Sequence, residues 1–425
     1  MPATSNNMIT KTPWFCTPWL MWSLTIAFVF FQFFIQLSSG VIVKPLMKSF
    51  NINVLQASLL ASSFYYIYVL LQTPAGVLVD WIGARRLLTV GGFSCGFGCL
   101  LFATSHHLTL AIIGRLLMGM GTSCAFVSAL YVSAEWFPPK RFAIMVSLVE
   151  MFGMISTLLS TVYLANALEY TDWRSAMIVS AAIAASLGAL CWLIIRDKPS
   201  SLTPGDVPKN FTSFWKSIIA LTGKPGMWIN GLYSGILFSI VTVFAALWAV
   251  PFLELAQHVS LPTATLESAF TYIGVALGTV LMGWVHSKID NMNRLLAAAA
   301  AAATITSVII IYFTPTSIWL GGALFFILGI AGSSYVFNYM LAKQLAPKRA
   351  ISTSIGFTNM LAVATAPILQ PIIGWVLYLS NRHPATHSRL HTYELHHYHI
   401  ALSLIPLCLM LAIFLAFKIP KASNK

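Results

Sequence analysis

Residues 76–86 read Gly76-Val-Leu-Val-Asp80-Trp-Ile-Gly83-Ala-Arg85-Arg86, and they close one long apolar run while opening the next. The glycines permit a tight turn and a close approach of helices. Asp80 stands at the edge of an apolar segment, where a carboxylate can pair with arginines or with a helix N-terminus. Arg85 and Arg86 put the far side of the turn in water. The flanking runs, near 55–79 and 87–104, are each about as long as a helix that crosses a ~30 Å hydrocarbon core. Together they read as two membrane spans joined by a tight polar connection.

Extending the reading in both directions gives further apolar runs near 19–43, 108–133, 142–166 and 175–195, then 227–252, 264–286, 295–313, 317–341, 351–378 and 400–418. The first is too long for the apolar core of a signal peptide and reads as a retained span. The chain of 425 residues is 58% hydrophobic and 8% charged, against about 25% charged in soluble domains. That excludes an ordinary soluble enzyme. The predicted fold class is an all-α membrane protein, with twelve transmembrane helices in two pseudo-symmetric six-helix bundles.

The charge supports this reading and orients it. Lys and Arg number 24 against 11 Asp and Glu, a net charge of +13. With the N-terminus inside, 18 basic residues fall in the cytoplasmic set of loops and ends, 5 (Lys44, Lys48, Arg174, Arg382, Arg389) fall outside, and Arg115 alone lies within a span. This asymmetry predicts that both termini are cytoplasmic, and it accounts for the basic character without nucleic acid.

Between the sixth and seventh spans lies Arg196–Asn210, RDKPSSLTPGDVPKN, rich in Pro, Ser, Lys and Asp. We read 1–196 as an N-terminal six-helix bundle, 197–226 as a cytoplasmic linker and 227–425 as a C-terminal six-helix bundle. Phe211–Ala220 in the linker is amphipathic enough to lie on the membrane surface. The halves also repeat. Gly283 follows Gly76 by 207 residues, each opening a polar connection, and Pro347-Lys-Arg follows Pro139-Lys-Arg by 208. An internal duplication in a membrane protein predicts a site at the interface of the repeats.

The Gly76, Asp80, Gly83, Arg85-Arg86 pattern resembles the signature loop between spans two and three of the major facilitator superfamily, and the span count, linker and duplicated loop agree. The resemblance implies a gating latch on the cytoplasmic side made by these five residues; the alternative is a basic turn with no switching role. The second copy departs from the pattern, because Ser287 stands where the acid would be. A symmetric latch is therefore doubtful. The resemblance also implies that spans one, four, seven and ten line the transport path.

Gly114-Arg115-Leu-Leu-Met-Gly119-Met-Gly121 in span four matches the second signature of that family. An arginine in a span costs about 2.5–3.5 kcal/mol on insertion scales, so Arg115 should face a cavity or a polar partner. It is read as an anchor for an anionic substrate group, as a residue that tunes a proton site, or as a structural arginine bonded to carbonyls of neighbouring spans. Glu150 in span five is the other central charge. A carboxyl withdrawn from water can exchange a proton as a cavity changes access. Counting rise along the two helices leaves roughly 8 Å of depth between the backbones of Arg115 and Glu150. A direct bond, or a link through water or substrate, would close that gap.

Further candidates for the substrate or coupling site are Gln32 and Gln36, one helical turn apart in span one, Tyr131 in span four, Asn230 and Tyr233 in span seven, and Tyr335 and Asn338 in span ten. Asn359 occupies in the second half the place that Glu150 occupies in the first, so charge handling is expected to be asymmetric. For each of these, interhelical hydrogen bonding is the alternative. The six cysteines form no CxxC pair and read as small buried hydrophobes. His383, His387 and His391 precede the last span at intervals of four, but no metalloprotease pattern accompanies them; no metal and no cofactor is expected.

No GxxxxGK[ST] phosphate loop and no nucleophile triad signature occurs, so neither ATP hydrolysis in this chain nor covalent catalysis is indicated. The sequence predicts a secondary transporter, monomeric and lipid-embedded, that alternates access about a central site and can be proton-coupled. The runs YYIYVLLQTPAGVLVD and AEWFPPKRFA are similar to bacterial members grouped with lysosomal dipeptide carriers. The leading substrate expectation is an amino acid or dipeptide, with an organic anion or siderophore as the alternative. A membrane ligand sensor is the reading from a different class. The lack of an N-x-[ST] site in any outer loop leans towards a bacterial inner membrane.

Overall fold

The computed structural model describes residues 18–37, 39–138, 141–168, 170–197, 219, 221–286, 291–345, 351–380 and 393–420. Among these, twelve helices are long and apolar enough to cross a membrane. They are α1 (Pro18–Leu37), α2 (Val54–Gly76), α3 (Ile82–Thr104), α4 (Leu108–Trp136), α5 (Ile144–Leu164), α6 (Trp173–Ile194), α7 (Pro225–Gln257), α8 (Leu261–Met282), α9 (Met292–Tyr312), α10 (Ile318–Ala342), α11 (Gly356–Ser380) and α12 (Leu395–Lys418). Large apolar side chains such as Val90 (65% exposed), Phe97 (61%) and Phe414 (70%) lie on the outside. Such a surface is solvated by lipid tails and not by water.

Helices α1–α6 pack on one another and α7–α12 do likewise, with α2 against α11 and α5 against α8 forming the seam between the two bundles. Small residues set the closest approaches. A Cβ on Gly91 of α3 would overlap the carbonyl of Gly121 on α4, and one on Gly274 of α8 would overlap the carbonyl of Phe326 on α10. With no hydrophobic drive between helices in lipid, this backbone contact supplies the dispersion energy that holds them.

Several boundaries differ from the sequence reading for local reasons. The first run divides into α1 and a short helix, Ser39–Phe50, which carries Pro45 inside it. The α2 helix starts at a capping box, with Asn53 Oδ1 accepting from the Gln56 amide at 2.9 Å and Gln56 Oε1 from the Asn53 amide at 3.0 Å. The last span begins at Leu395, earlier than its apolar run, because Glu394 and His397 cap it. The amphipathic linker segment, apart from 219, and the His383, His387 and His391 positions lie outside the described residues.

Besides α12, which breaks at Ser403, three of the described spans are irregular along their length. The α4 helix is interrupted at Ser123–Cys124, α10 tightens to a 3₁₀ turn over Ser333–Val336, and α7 widens to a π-helix over Ile240–Trp248. Departures of this kind are stable in a membrane only where the surrounding protein re-satisfies the backbone, and they recur at functional sites.

Candidate functional site

Glu150 sits in α5, 3% exposed, and its Oε2 accepts a hydrogen bond from the Tyr335 hydroxyl of α10 at 3.1 Å. Tyr335 projects from the 3₁₀ turn, so the tightened backbone aims this side chain across the seam. Its ring leans on Phe238 of α7, with centroids 4.8 Å apart. One turn further along α10, the Tyr339 hydroxyl donates to Asn359 Oδ1 at 2.6 Å, and Asn359 Nδ2 donates to Gln72 Oε1 of α2 at 2.9 Å. Glu150 with Tyr335 and Gln72 with Asn359 therefore form two polar bridges between the bundles. All five side chains are buried.

A third bridge lies along the same seam. Ser62 of α2 donates to Gln370 Oε1 of α11 at 3.0 Å, and Gln370 Nε2 donates to the Thr242 carbonyl inside the π-helix at 2.8 Å. The Gln370 amide thus supports the widened turn of α7 and ties it to the other half. Near one end of the molecule, Lys44 Nζ meets Glu254 Oε2 at 2.8 Å, joining the Ser39–Phe50 helix to the end of α7. Beside this ion pair is a small cavity, with room for about one water molecule, lined by both bundles, including Leu37, Val41, Thr161, Val250 and Tyr272.

Arg115 is 4% exposed. Its guanidinium donates to the Ile35 carbonyl at 3.3 Å and to the Ala61 carbonyl at 3.1 Å, and it lies over the Phe64 ring at 5.3 Å. These contacts bind α4 to α1 and α2 within the first bundle. Arg115 and Glu150 each engage other partners.

The amide and phenol candidates divide between the seam and the bundle interiors. Gln32 donates to Gln36 Oε1 within α1, and the Gln36 carbonyl accepts from Tyr65 at 3.2 Å. Asn230 and Asn338 clamp α7 to α10 reciprocally, each amide donating to the other's carbonyl, at 2.9 and 2.8 Å. Tyr233 turns inward to the Leu296 carbonyl and Ser334 Oγ, at 2.9 and 3.0 Å. Tyr131 is half-buried in α4.

At the opposite end from Lys44, the Gly76–Arg86 turn bends at Gly83, whose φ of 81° and ψ of 160° belong to a region essentially reserved for glycine. A Cβ there would overlap the Asp197 carboxylate. Asp197, just past α6, accepts from the Arg85 amide at 3.2 Å, while Arg85 Nε donates to the Trp192 carbonyl at 2.7 Å and its guanidinium lies 4.2 Å from the centre of the Trp192 ring. An acid just past α6 thus caps the N-terminus of α3. A Cβ on Gly76 would make only ordinary contact with Val127, Arg86 is exposed, and Asp80 lies in the helix with its side chain outside the described residues.

Sequence reasoning raised Tyr335 and Asn359 but missed their partners as a network, and it missed Asp197, Ser62, Gln370 and the Lys44–Glu254 pair as contacts. Gln370 carried a signal that could have been used, an uncharged amide between Pro367 and Pro371 within a span.

Comparisons with known proteins bear on the family and the fold. The family model described as Major Facilitator Superfamily matches residues 23–371. The chain is 26% identical over 162 residues to the uncharacterized transporter YybO of Bacillus subtilis, covering 38% of this chain and 37% of that protein. It is 20% identical over 371 residues to a probable hexose phosphate transport protein of Chlamydia pneumoniae, covering 81% of each. Its fold superposes with a TM-score of 0.72 on a bacterial homolog of the human lysosomal transporter Spinster in an inward-facing, unoccupied conformation, at 14% identity over 96% of this chain and 97% of that one.

Proposed function

The chain belongs to the major facilitator superfamily, and from that premise we propose that it carries an amino acid or dipeptide by rocking two bundles about a central site, with Glu150 as the proton-coupling carboxyl. The family assignment makes it an integral multi-pass membrane protein and a transporter of small solutes, not an enzyme. The observation that carries the finer reading is the Tyr335 to Glu150 hydrogen bond across the seam. A group that exchanges a proton at this point changes a contact between the halves, and so links protonation to their relative position.

Substrate class follows from the charges. Glu150 is met by a neutral phenol, and the buried cation Arg115 is committed to backbone carbonyls of α1 and α2. A site with an acid and uncharged amides complements a substrate bearing an ammonium group. The second reading, an organic anion or siderophore, is favoured by the relative named as a hexose phosphate transport protein. We place the Arg85 end in the cytoplasm, from the distribution of basic residues, in a monomer in a bacterial inner membrane. On that orientation the Lys44–Glu254 pair closes the outer end, and residues 197–226 are the linker between the bundles.

The test is uptake into proteoliposomes of labelled dipeptides and amino acids beside hexose phosphates and hexuronates. The proposal expects saturable uptake of the first group. Uptake confined to the anions would replace it by the second reading, and failure to take up any solute of either group would contradict both.

A further inference from the structure

Glu267 lies in the second turn of α8 and is fully buried, at 0% exposure. Its Oε1 accepts from Nε2 of Gln257, the last residue of α7, at 3.0 Å. The same Nε2 donates to the Pro315 carbonyl, in the connection between α9 and α10, at 2.9 Å. The carboxyl packs on the backbone of α10, where a Cβ on Gly321 would overlap it. Two oxygens in this cluster are buried without a hydrogen-bond partner among the described residues, Oε2 of Glu267 and Oε1 of Gln257.

An ionised carboxylate here would be a buried charge with one neutral donor, an arrangement that costs several kcal/mol or more in an apolar interior. A single proton on Oε2 removes the charge and turns one surplus acceptor into a donor. The remaining surplus acceptor belongs to the side chain already bonded to Glu267. We propose that Glu267 is a second proton-binding site, separate from Glu150, in which a neutral carboxyl and the Gln257 amide form a two-bond pair that fastens the end of α7.

The charged and titratable groups at the end of α7 lie apart from the pair. Glu254, one turn before Gln257, is paired with Lys44 at 2.8 Å. His258 is exposed beyond the end of α7. On the α9–α10 side the Pro315 carbonyl and the Gly321 backbone meet the pair. Because Glu254 shares its helix with Gln257, the pair holds the segment that carries the inter-bundle ion pair. That consequence rests on the alternating-access reading; the proton on Glu267 does not.

Infrared spectroscopy of the full chain in lipid nanodiscs at neutral pH tests the proton. The native protein should show a protonated-carboxyl stretching band, one component of which is lost in Glu267→Gln and kept in Glu150→Gln. If Glu267→Gln instead loses carboxylate intensity and keeps that band, the proposal fails. Should that variant not fold, Gln257→Met keeps Glu267, and loss of the amide partner should move the band to higher frequency; an unmoved band overturns the pair. Fastening is read separately, from labelling of Val250→Cys, in the cavity beside the ion pair, by a membrane-impermeant maleimide. Adding Gln257→Met should speed labelling several-fold, and equal rates would remove the fastening role.

Discussion

Tyr335 of α10 and Glu150 of α5 are joined by one hydrogen bond of 3.1 Å between the two bundles, with both side chains buried. In alternating access the halves must part and rejoin about this seam, so a bond made in one arrangement and lost in another biases the equilibrium by its differential energy. A buried hydrogen bond to a carboxyl is worth on the order of 1.5–3 kcal/mol. That suffices to shift two conformers by about one to two orders of magnitude.

Removing the donor should therefore be costly. Tyr335→Phe keeps the ring on Phe238 and leaves Glu150 Oε2 without its partner. Transport should fall about tenfold or more, while each bundle keeps its own core and the variant stays folded. Initial rates in proteoliposomes check this. Native rates in the variant would show that the bond does not govern the cycle.

Arg115 is expected to matter for stability and not for recognition. Lysine cannot span the Ile35 and Ala61 carbonyls with a planar fork, so Arg115→Lys should lose about 1–3 kcal/mol. Thermal unfolding in detergent reads the loss, while KM of the surviving protein should stay native. A raised KM with intact stability would instead make Arg115 a substrate anchor.

How far the sequence carried these conclusions depended on whether a feature was local. The spans were legible because about 20 apolar residues must cross the membrane as a helix, and Gly83 because its turn demands a glycine conformation. The partner of Glu150 was not legible, since Tyr335 lies in the other half of the chain and meets it only once α10 tightens over Ser333–Val336. The Asp197 cap on α3 was not legible either, because it comes from a position past the sixth span. The π-helix of α7 carries no sequence mark, because it is stabilised by the distant Gln370 amide.

The turn at Gly83 yields a graded expectation. Gly83→Ala must both strain the backbone at φ 81° and displace the Asp197 carboxylate, at a cost of about 1–3 kcal/mol. Asp197→Ala removes only an exposed cap, about 0.5–1 kcal/mol. Thermal melts of the two variants should rank them in that order; the reverse ranking would contradict the capping account.

The Lys44–Glu254 pair is part exposed, at 56% and 15%, so its contribution should be small, about 0.2–1 kcal/mol. Lys44→Glu should speed maleimide labelling of a cysteine at Val250 by a few-fold, and the double exchange Lys44→Glu with Glu254→Lys should restore the native rate. An exchange no slower than the single variant would remove the pair as a closure.

The central claim is that Glu150 couples a proton to movement of the halves, and uptake by Glu150→Gln with and without an inward proton gradient tests it most directly. Glutamine can still accept from Tyr335 but cannot release a proton. The account predicts gradient-stimulated uptake by the native protein, and uptake by the variant that persists at a reduced rate and no longer responds to the gradient. Stimulation of the variant equal to that of the native chain would contradict it.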